Sequence, residues 1–189
     1  MTPKNCMIDL ETLSTRPHAA ILTIGAIKFS LNGSIPRSFE EKKLNTFYRR
    51  INIESCKKIN LHIDQATQRW WARQGRKARE EALDNPDRVD LHDALKDFAI
   101  WLNPDSDTRV WGNGSDFDIT ILGEVYTRCG METPWRFWQS RDVRTVMELS
   151  KEISGKNVNI SQSNKHHALY DCHRQIFGLQ KALRLMKIK

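Results

Sequence analysis

The sequence predicts an α/β domain built on a mixed sheet flanked by helices. Two observations indicate this class. Three strand-like segments stand within the first 51 residues, and the first two are apolar enough to be buried, so a mixed sheet with an antiparallel portion is expected. After them, strand-like and helix-like segments alternate, which is the pattern of a sheet covered by helices. A length of 189 residues fits one domain over residues 1–189.

The strands are predicted from short runs rich in apolar residues. The second run is the longer of the first two, and Asn32-Gly33 after it is a hairpin turn signal. A later run, Arg109-Val110-Trp111, leads into a glycine-rich turn. The predicted strands are residues 5–10, 20–30, 44–51, 109–111 and 137–139.

The helices are predicted from 3.6-residue periodicity and from their start and stop residues. Asp64 is a candidate N-cap for the first helix, and Gly75 and Asn85-Pro86 are candidate stops. The polar stretch 154–165 predicts a mobile loop before the last helix. The predicted helices are residues 64–74, 76–83, 91–102, 115–129, 142–153 and 168–186.

Composition excludes several classes of protein. Apolar residues make up 39% of the chain and charged residues 28%, as in soluble globular proteins rather than disordered ones. The longest mainly apolar stretch, residues 19–27, is shorter than the ~20 residues of a membrane span. Asp9 interrupts the N-terminal apolar run, which is unlike a secretion signal. We therefore expect no membrane as a partner.

Charge and cysteine usage indicate a partner class and a compartment. The net charge of +7 favours a polyanion as partner, and nucleic acid is the commonest one. The four cysteines are far apart and form no CxxC pair, so neither a zinc site nor a disulfide framework is expected. Free thiols in a reducing cytosol are the simpler interpretation, which predicts a cytoplasmic location.

Asp9 and Glu11 are the first acids in an unusual place, the end of a predicted buried strand. Residues two apart in a strand point to the same face, so both carboxylates would project side by side. Their repulsion and burial are costly, and a divalent cation offsets both, since hard cations such as Mg²⁺ prefer carboxylate oxygens. The alternative is that the strand ends early and both acids lie in solvent.

Two further acidic places follow. Asp116 and Asp118 come after the glycine-rich turn at a helix start, where acids also suit the helix dipole for purely structural reasons. His166 and Asp171 would lie about 140° apart around a helix axis, so they converge only if His166 precedes the helix. The alternative for this last pair is a solvated histidine and aspartate.

Taken together, the three places offer what two-metal hydrolysis of a phosphodiester needs. Two ions about 3.5–4 Å apart hold the scissile phosphate and stabilise the attacking and leaving oxygens. A neutral histidine can then accept a proton from the attacking water. The residue types and their order along the chain thus favour a nuclease.

The same residues resemble a known family. Asp9-x-Glu11, then Phe117-Asp118, then His166-x-Ala168-x-x-Asp171 are similar to the three exonuclease motifs of the DEDDh 3′-to-5′ exonuclease superfamily, which has an RNase H-like fold. The resemblance covers nearly the whole chain. Three more segments resemble the phage and prophage exonuclease VIII-like and RNase AS-like subgroup; they are residues 21–26, 70–74 and 134–138, the last leading to 141–145.

Residue by residue, the resemblance implies a role for each motif position. His166 is implied as the general base, because it stands five residues before the last aspartate. A sister group has tyrosine four residues before that aspartate, where this chain has His167, so the histidine branch is favoured. Asp116 falls outside the motif and is expected to start a helix. The implied metal ligands are Asp9, Glu11, Asp118 and Asp171, and the implied cofactors are two Mg²⁺ or Mn²⁺ ions.

Substrate contacts are expected from the resemblance and from the aromatic and basic residues. By position, Thr12 and Leu13 would hold the 3′ end, with Leu13 as a wedge between the last bases. Trp70 could stack on a base, and Gln74 one turn later could touch sugar or base. Arg141 is a candidate phosphate contact. For the tryptophan, the alternative is a place in the core and a subunit interface.

The resemblance implies a 3′-to-5′ exonuclease that releases nucleoside 5′-monophosphates from the 3′ ends of single-stranded DNA or RNA. It also implies a phage or prophage origin and a homodimer. The alternative is a non-catalytic nucleic-acid-binding module with a nuclease-like fold, although such modules normally lose an acid or the histidine. A P-loop phosphoryl-transfer enzyme is disfavoured, because GxxxxGK[ST] is absent. The choice between DNA and RNA stays open at this level.

Overall fold

In a computed structural model of the chain, a mixed sheet separates two layers of helices. The structure describes residues 3–33, 35–36, 38–40, 44–103, 108–158 and 166–188, and within them five strands form one sheet. None of the helices in these segments combines the length and the apolar character needed to cross a bilayer.

The strands follow the predicted pattern closely. They are β1 (Asn5–Thr12), β2 (Ile21–Phe29), β3 (Asn45–Arg50), β4 (Arg109–Gly112) and β5 (Ser140–Asp142). Their order across the sheet is β3-β2-β1-β4-β5. The β1-β2 and β2-β3 pairs are antiparallel, whereas β1-β4 and β4-β5 are parallel. The expected mixed sheet with an antiparallel portion is therefore confirmed.

The helices also agree with most predictions. In the described residues they are α1 (Ile53–Lys58), α2 (Gln65–Ala72), α3 (Arg76–Arg79), α4 (Leu91–Leu102), α5 (Asp118–Arg128), α6 (Val143–Ser154) and α7 (Ala168–Leu185). Asp64 caps α2 as predicted, by accepting a hydrogen bond from the backbone N–H of Thr67. The predicted helix 76–83 is divided, because one π-helical turn, Glu80–Asp84, follows α3. Residues 159–165 of the predicted mobile loop lie outside the described residues.

Several element predictions were wrong in detail. Residues 137–139 form a 3-10 turn, and the strand is the next segment, β5. Phe137 and Trp138 are 87% and 56% exposed, so the two rings do not alternate between core and solvent as in a strand. The short helix α1 was not predicted. α5 begins at Asp118 rather than at residue 115. Asn32-Gly33 lies in a turn, but β3 begins only at Asn45, so no tight hairpin forms.

The sheet buries apolar side chains on both faces. Even-numbered residues of β1, including Ile8 and Leu10, belong to the larger core, which α4 and α5 cover. Met7 belongs to the second core, together with Val143 of α6 and Ile176 of α7. The alternation of β1 side chains between two cores decides which face of the sheet each acidic residue can reach.

The start of α7 lies directly on β2 at Gly25. A Cβ atom added to Gly25 would lie 2.6 Å from the Cβ of Ala168 and 2.8 Å from its carbonyl carbon. In the sheet, Gly25 is the register partner of Asp9 on one side and of Tyr48 on the other. The missing side chain at Gly25 therefore allows α7 to approach the sheet beside Asp9.

We expect Gly25→Ala to lower the free energy of unfolding by roughly 1–3 kcal/mol, the usual cost of inserting a methyl group into a filled space. Gly123→Ala on α5 is the matched control, because its added Cβ would meet only the Thr133 methyl at 3.8 Å. In that helix interior, alanine should stabilise the protein by ~0.5–1 kcal/mol. Urea unfolding of both variants measures the difference, and a Gly25→Ala variant as stable as the native chain would contradict the close approach.

Candidate active site

β1 presents two acidic side chains on the face that α7 covers. Ile8 and Leu10 pack in the larger core and Met7 packs against α7, so the alternation of the strand places Asp9 and Glu11 on the same side as Met7. Glu11 is buried and Asp9 is half-buried. The predicted strand continues to Thr12, so the alternative in which both acids lie in solvent does not apply.

The parallel pairing of β4 with β1 brings the next acid to the same place. Asp118 starts α5, and its Oδ1 accepts a hydrogen bond of 3.0 Å from the backbone N–H of Leu10. The loop before it is held by Asp142, whose Oδ2 accepts the backbone N–H groups of Gly114 (2.9 Å) and Ser115 (2.6 Å). The Leu10 hydrogen bond thus fixes a carboxylate of α5 against the end of β1.

The last helix completes the cluster. α7 begins at Ala168, so His166 lies before the helix, as convergence with Asp171 requires. The backbone N–H of His166 donates to Asp171 Oδ2 at 3.1 Å. Glu11, His166 and Asp171 each offer a ligand atom, and these atoms lie within 4.8 Å of one another. Three separate elements therefore supply four carboxylates to one site, and the segment before α7 supplies one imidazole.

Two side chains of α7 that sequence reasoning missed support the acids. Gln175 donates from Nε2 to Asp9 Oδ1 at 2.7 Å, and the Arg174 guanidinium contacts Asp171 Oδ1. Arg174 stands three residues after Asp171 and Gln175 stands four, so both share its face of the helix. That spacing is the signal in the sequence that could have identified them.

Burial raises the pKa values of all four carboxyls, and repulsion from neighbouring carboxylates adds to this for Asp9 and Glu11. Burial and the charge of Asp171 raise the pKa of Glu11 to about 8, and burial raises that of Asp118 to about 7. Burial, followed by the neighbouring carboxylates, raises the pKa of Asp9 well above its usual range. Burial also raises the pKa of Asp171, although the Arg174 guanidinium opposes this shift. The folded protein therefore favours protonation of these carboxyls or the binding of a cation beside them.

A cleft of about 500 Å³ opens beside Glu11, within the ~300–1,000 Å³ range of ligand sites. Thr12 and Trp70 both line it. The Trp70 side chain is 37% exposed, and its ring lies edge-on to His166 with centroids 4.8 Å apart. Trp71 is buried and donates from Nε1 to the carbonyl of Thr12 at 2.9 Å. The neighbouring tryptophans thus divide into one that faces the cleft and one that supports its wall.

Three of the expected substrate contacts lie elsewhere. Leu13 is buried in the larger core, so the structure does not bring it to the cleft. Gln74 lies just past the end of α2, and its side chain donates to the carbonyl of Trp70 at 3.0 Å. Arg141 donates to two backbone carbonyls of its own segment, both at 2.7 Å.

Arg144 lies beside the loop that leads to Asp118. Its Nη2 donates to the carbonyl of Asn113 at 3.0 Å, and its charge acts to lower the pKa of Asp118. The two arginines belong to one sequence segment, so the pattern alone could not separate them. A larger hollow of about 1,080 Å³ is lined by residues 130–139 and by Thr127, and none of the four carboxylates lines it.

Comparison with known proteins gives the family. A model of the 3′-5′ exoribonuclease Rv2179c-like domain matches residues 4–182. A relative, the exodeoxyribonuclease of Enterobacteria phage T4, is 23% identical over 201 residues, which are 94% of this chain and 88% of the relative.

Two solved structures are similar at lower identity. Cell-death related nuclease 4 (CRN-4) has a TM-score of 0.49 at 11% identity, over 95% of this chain and 63% of its own. Exonuclease I from Methylocaldum szegediense has a TM-score of 0.48 at 10% identity, over 97% of this chain and 40% of its own. The chain thus spans less than two thirds of each of these structures.

The family match extends over nearly the whole chain, and the three motifs that carry the resemblance meet at one site. The mixed sheet flanked by helices is the RNase H-like fold that the resemblance implies. The chain therefore belongs to the 3′-5′ exoribonuclease Rv2179c-like domain family, within the DEDDh-type 3′-to-5′ exonuclease superfamily, and is a 3′-to-5′ exonuclease.

Proposed function

We propose that this exonuclease removes nucleoside 5′-monophosphates one at a time from the 3′ ends of single-stranded DNA or RNA, with two Mg²⁺ or Mn²⁺ ions and a histidine general base. The proposed metal ligands are Asp9, Glu11, Asp118 and Asp171, and the proposed base is His166. The observation that carries this proposal is the convergence of four carboxylates with one imidazole at the end of β1.

The donor set fits hard divalent cations. Carboxylate oxygens are the ligands that Mg²⁺ and Mn²⁺ prefer, and here they come from rigid strand and helix positions. Burial raises the pKa values of Glu11 and Asp118 although the charges of Arg174 and Arg144 act to lower them, so an added cation would stabilise the ionised carboxylates. When bound, the ions would neutralise charge on the scissile phosphate and stabilise the attacking and leaving oxygens.

The protein's own residues would orient the substrate and move the proton. His166 precedes α7 and lies against Glu11 and Asp171, so its imidazole can accept a proton from a water beside the phosphate. Leu10 and Gln175 hold Asp118 and Asp9 by hydrogen bonds and keep their carboxylates in place. Chemistry at the site would therefore need little movement of β1.

The cleft beside Glu11 is the proposed place of the 3′-terminal nucleotide. Trp70 offers an exposed ring at its rim for stacking on a base, and Thr12 lies in its wall. Arg144 is our preferred phosphate contact, since it lies near Asp118. Leu13, Gln74 and Arg141 would need new side-chain conformations to take part.

We also propose a cytoplasmic location, a homodimer and a single domain. Four free cysteines, three of them buried, suit a reducing compartment. One sheet with a core on each face supports the single domain. The subgroup resemblance alone supports the homodimer, and light scattering of the purified chain measures it.

We expect Asp118→Asn to abolish degradation, because it removes one of the four charges that would hold the metal. The substrates are 5′-labelled single-stranded DNA and RNA of one sequence, incubated with Mg²⁺, Mn²⁺ or EDTA. The native chain should give a metal-dependent ladder that shortens from the 3′ end, and the faster substrate shows the sugar preference. Asp116→Asn is the matched control, since Asp116 is exposed and outside the motifs, and should retain full activity.

One result would contradict the proposal. If the native chain binds both oligonucleotides but degrades neither with any divalent metal, a non-catalytic binding module explains the protein better. Loss of activity in Asp116→Asn as well would show that the assay does not report on the carboxylate cluster.

His166→Ala should lower kcat by roughly 10²–10⁴-fold, the usual contribution of a general base, while KM for the oligonucleotide changes little. The single-turnover rate at saturating enzyme checks this, because it excludes effects of product release. A single-turnover rate equal to that of the native chain would show that the base is another group.

The carboxylate cluster should make the metal-free protein less stable as the pH rises. Glu11 and Asp118 have pKa values of about 8 and about 7 in the folded chain, against ~4 when unfolded. The folded state therefore binds more protons than the unfolded state between these values, and stability falls from about pH 4 to about pH 8. Melting temperatures in EDTA measure this, and Asp118→Asn should show a weaker dependence than the native chain.

Mn²⁺ should restore the stability that the metal-free protein loses as the pH rises. Because protons compete with the metal for the carboxylates, Mn²⁺ should raise the melting temperature more at pH 8 than at pH 5. An equal rise at both pH values, or no rise in either, would argue against binding by this cluster.

A further inference from the structure

His167, the neighbour of the proposed base, has contacts of its own that the proposed chemistry does not use. Its ring stacks on Tyr48 of β3, with centroids 5.0 Å apart and planes 21° apart. Its Nε2 lies 4.0 Å from Glu81 Oε1, and its side chain is only 25% exposed. The ring therefore points to the edge of the sheet at β3, and not into the carboxylate cluster.

The surface under His167 is tied together by hydrogen bonds and charge. Tyr48 donates from its hydroxyl to Glu81 Oε1 at 2.6 Å, and Arg50 donates from Nε to the same oxygen at 2.8 Å. Arg88 also joins the end of β3 to the π-helical turn Glu80–Asp84, because it donates to the carbonyls of Ile51 (2.9 Å) and Ala82 (2.6 Å).

Glu81 belongs to the π-helical turn Glu80–Asp84. Such single turns are uncommon and occur often at functional sites. Here the turn places the Glu81 carboxylate beside both Tyr48 and His167. The cluster of Tyr48, Arg50, Glu81 and His167 is called the β3 anchor below.

The β3 anchor and the site are joined by one row of residues across the sheet. Tyr48, Gly25 and Asp9 are register partners on β3, β2 and β1. The start of α7 lies over this row, with His167 on Tyr48 and Ala168 on Gly25. The contacts at Tyr48 and at Gly25 therefore fix the position of α7 relative to the acids.

His166 itself has a backbone that needs such support. Its φ is +65°, in the left-handed region that side-chain-bearing residues rarely adopt. A residue persists in this region only when its surroundings over-determine it. The N–H of His166 donates to Asp171, and the next residue, His167, has its ring stacked on Tyr48.

We propose that His167 is a positioning residue, which fixes the backbone before α7 by stacking on Tyr48 and so holds the His166 imidazole against Glu11 and Asp171. This inference rests on the proposed role of His166 as the base. The doubled histidine then has two distinct functions: the first ring faces the acids, and the second ring holds the first in place.

The test compares two substitutions at the same position. His167→Ala removes the stacked ring, and His167→Phe keeps a ring on Tyr48 without the imidazole nitrogens. His92→Ala, at an exposed position on α4, is the control. For each variant, kcat and KM for an oligonucleotide, the melting temperature and Mn²⁺ binding by calorimetry are measured.

We expect His167→Ala to lower kcat by roughly 10–100-fold, the range seen when a group that orients a site residue is removed. KM and Mn²⁺ affinity should change little by comparison, because Asp118 and Asp9 are held by Leu10 and Gln175, which the substitution leaves in place. His167→Phe should recover most of kcat. A kcat of His167→Ala equal to that of the native chain would overturn the inference, as would a loss that phenylalanine does not recover.

Hydrogen–deuterium exchange of residues 166–171 gives a readout that does not need activity. His167→Ala should exchange faster in this segment, whereas His167→Phe and His92→Ala should match the native chain. If the native chain degrades no substrate, the proposed function fails while this measurement still decides the role of His167. Unchanged exchange in His167→Ala would overturn the positioning role itself.

Discussion

The burial of four carboxylates beside one another is the constraint on which the rest of this site depends. Asp9, Glu11, Asp118 and Asp171 come together where little water remains, and the charges of Asp118 and Asp171 add to burial in raising the pKa values of Asp9 and Glu11. The chain tolerates the arrangement through specific contacts. The Leu10 N–H donates to Asp118, Gln175 donates to Asp9, and Arg174 contacts Asp171. In the described residues, these supporting groups belong to β1 and α7, which also carry acids of the cluster.

The same constraint explains the form of the fold around the site. β1 pairs in parallel with β4 on one side and antiparallel with β2 on the other, and this arrangement brings α5 and α7 to the same end of β1. Gly25 then lets α7 lie on the sheet at the one row where Asp9 stands. The absence of a side chain at Gly25 of β2 thus allows the acidic side chain of α7 to lie beside the acidic side chains of β1. A larger residue at Gly25 would separate the last helix from the acids.

The histidine pair shows how two adjacent side chains of the same type can have different surroundings. His166 and His167 are adjacent and chemically identical, and both are near acids. Their surroundings differ: one has the edges of Trp70 and Trp71 with the carboxylate cluster, and the other has Tyr48 and Glu81. The backbone turn at His166, with its positive φ, directs the two rings to different parts of the molecule.

The sequence by itself determined the class of sheet, most elements and the motif acids with their histidine, because periodicity, caps and the spacing of residue types are local properties. It could not separate Arg144 from Arg141, place Leu13 in the core, or show that Gln175 reaches Asp9, because those facts depend on which elements pack together. The aromatic segment 137–139 was mistaken for a strand, since local β propensity does not show that both rings face solvent. Only the tertiary structure decided these points, because contacts between residues more than a hundred positions apart, such as Leu10 with Asp118, exist only once the sheet has formed.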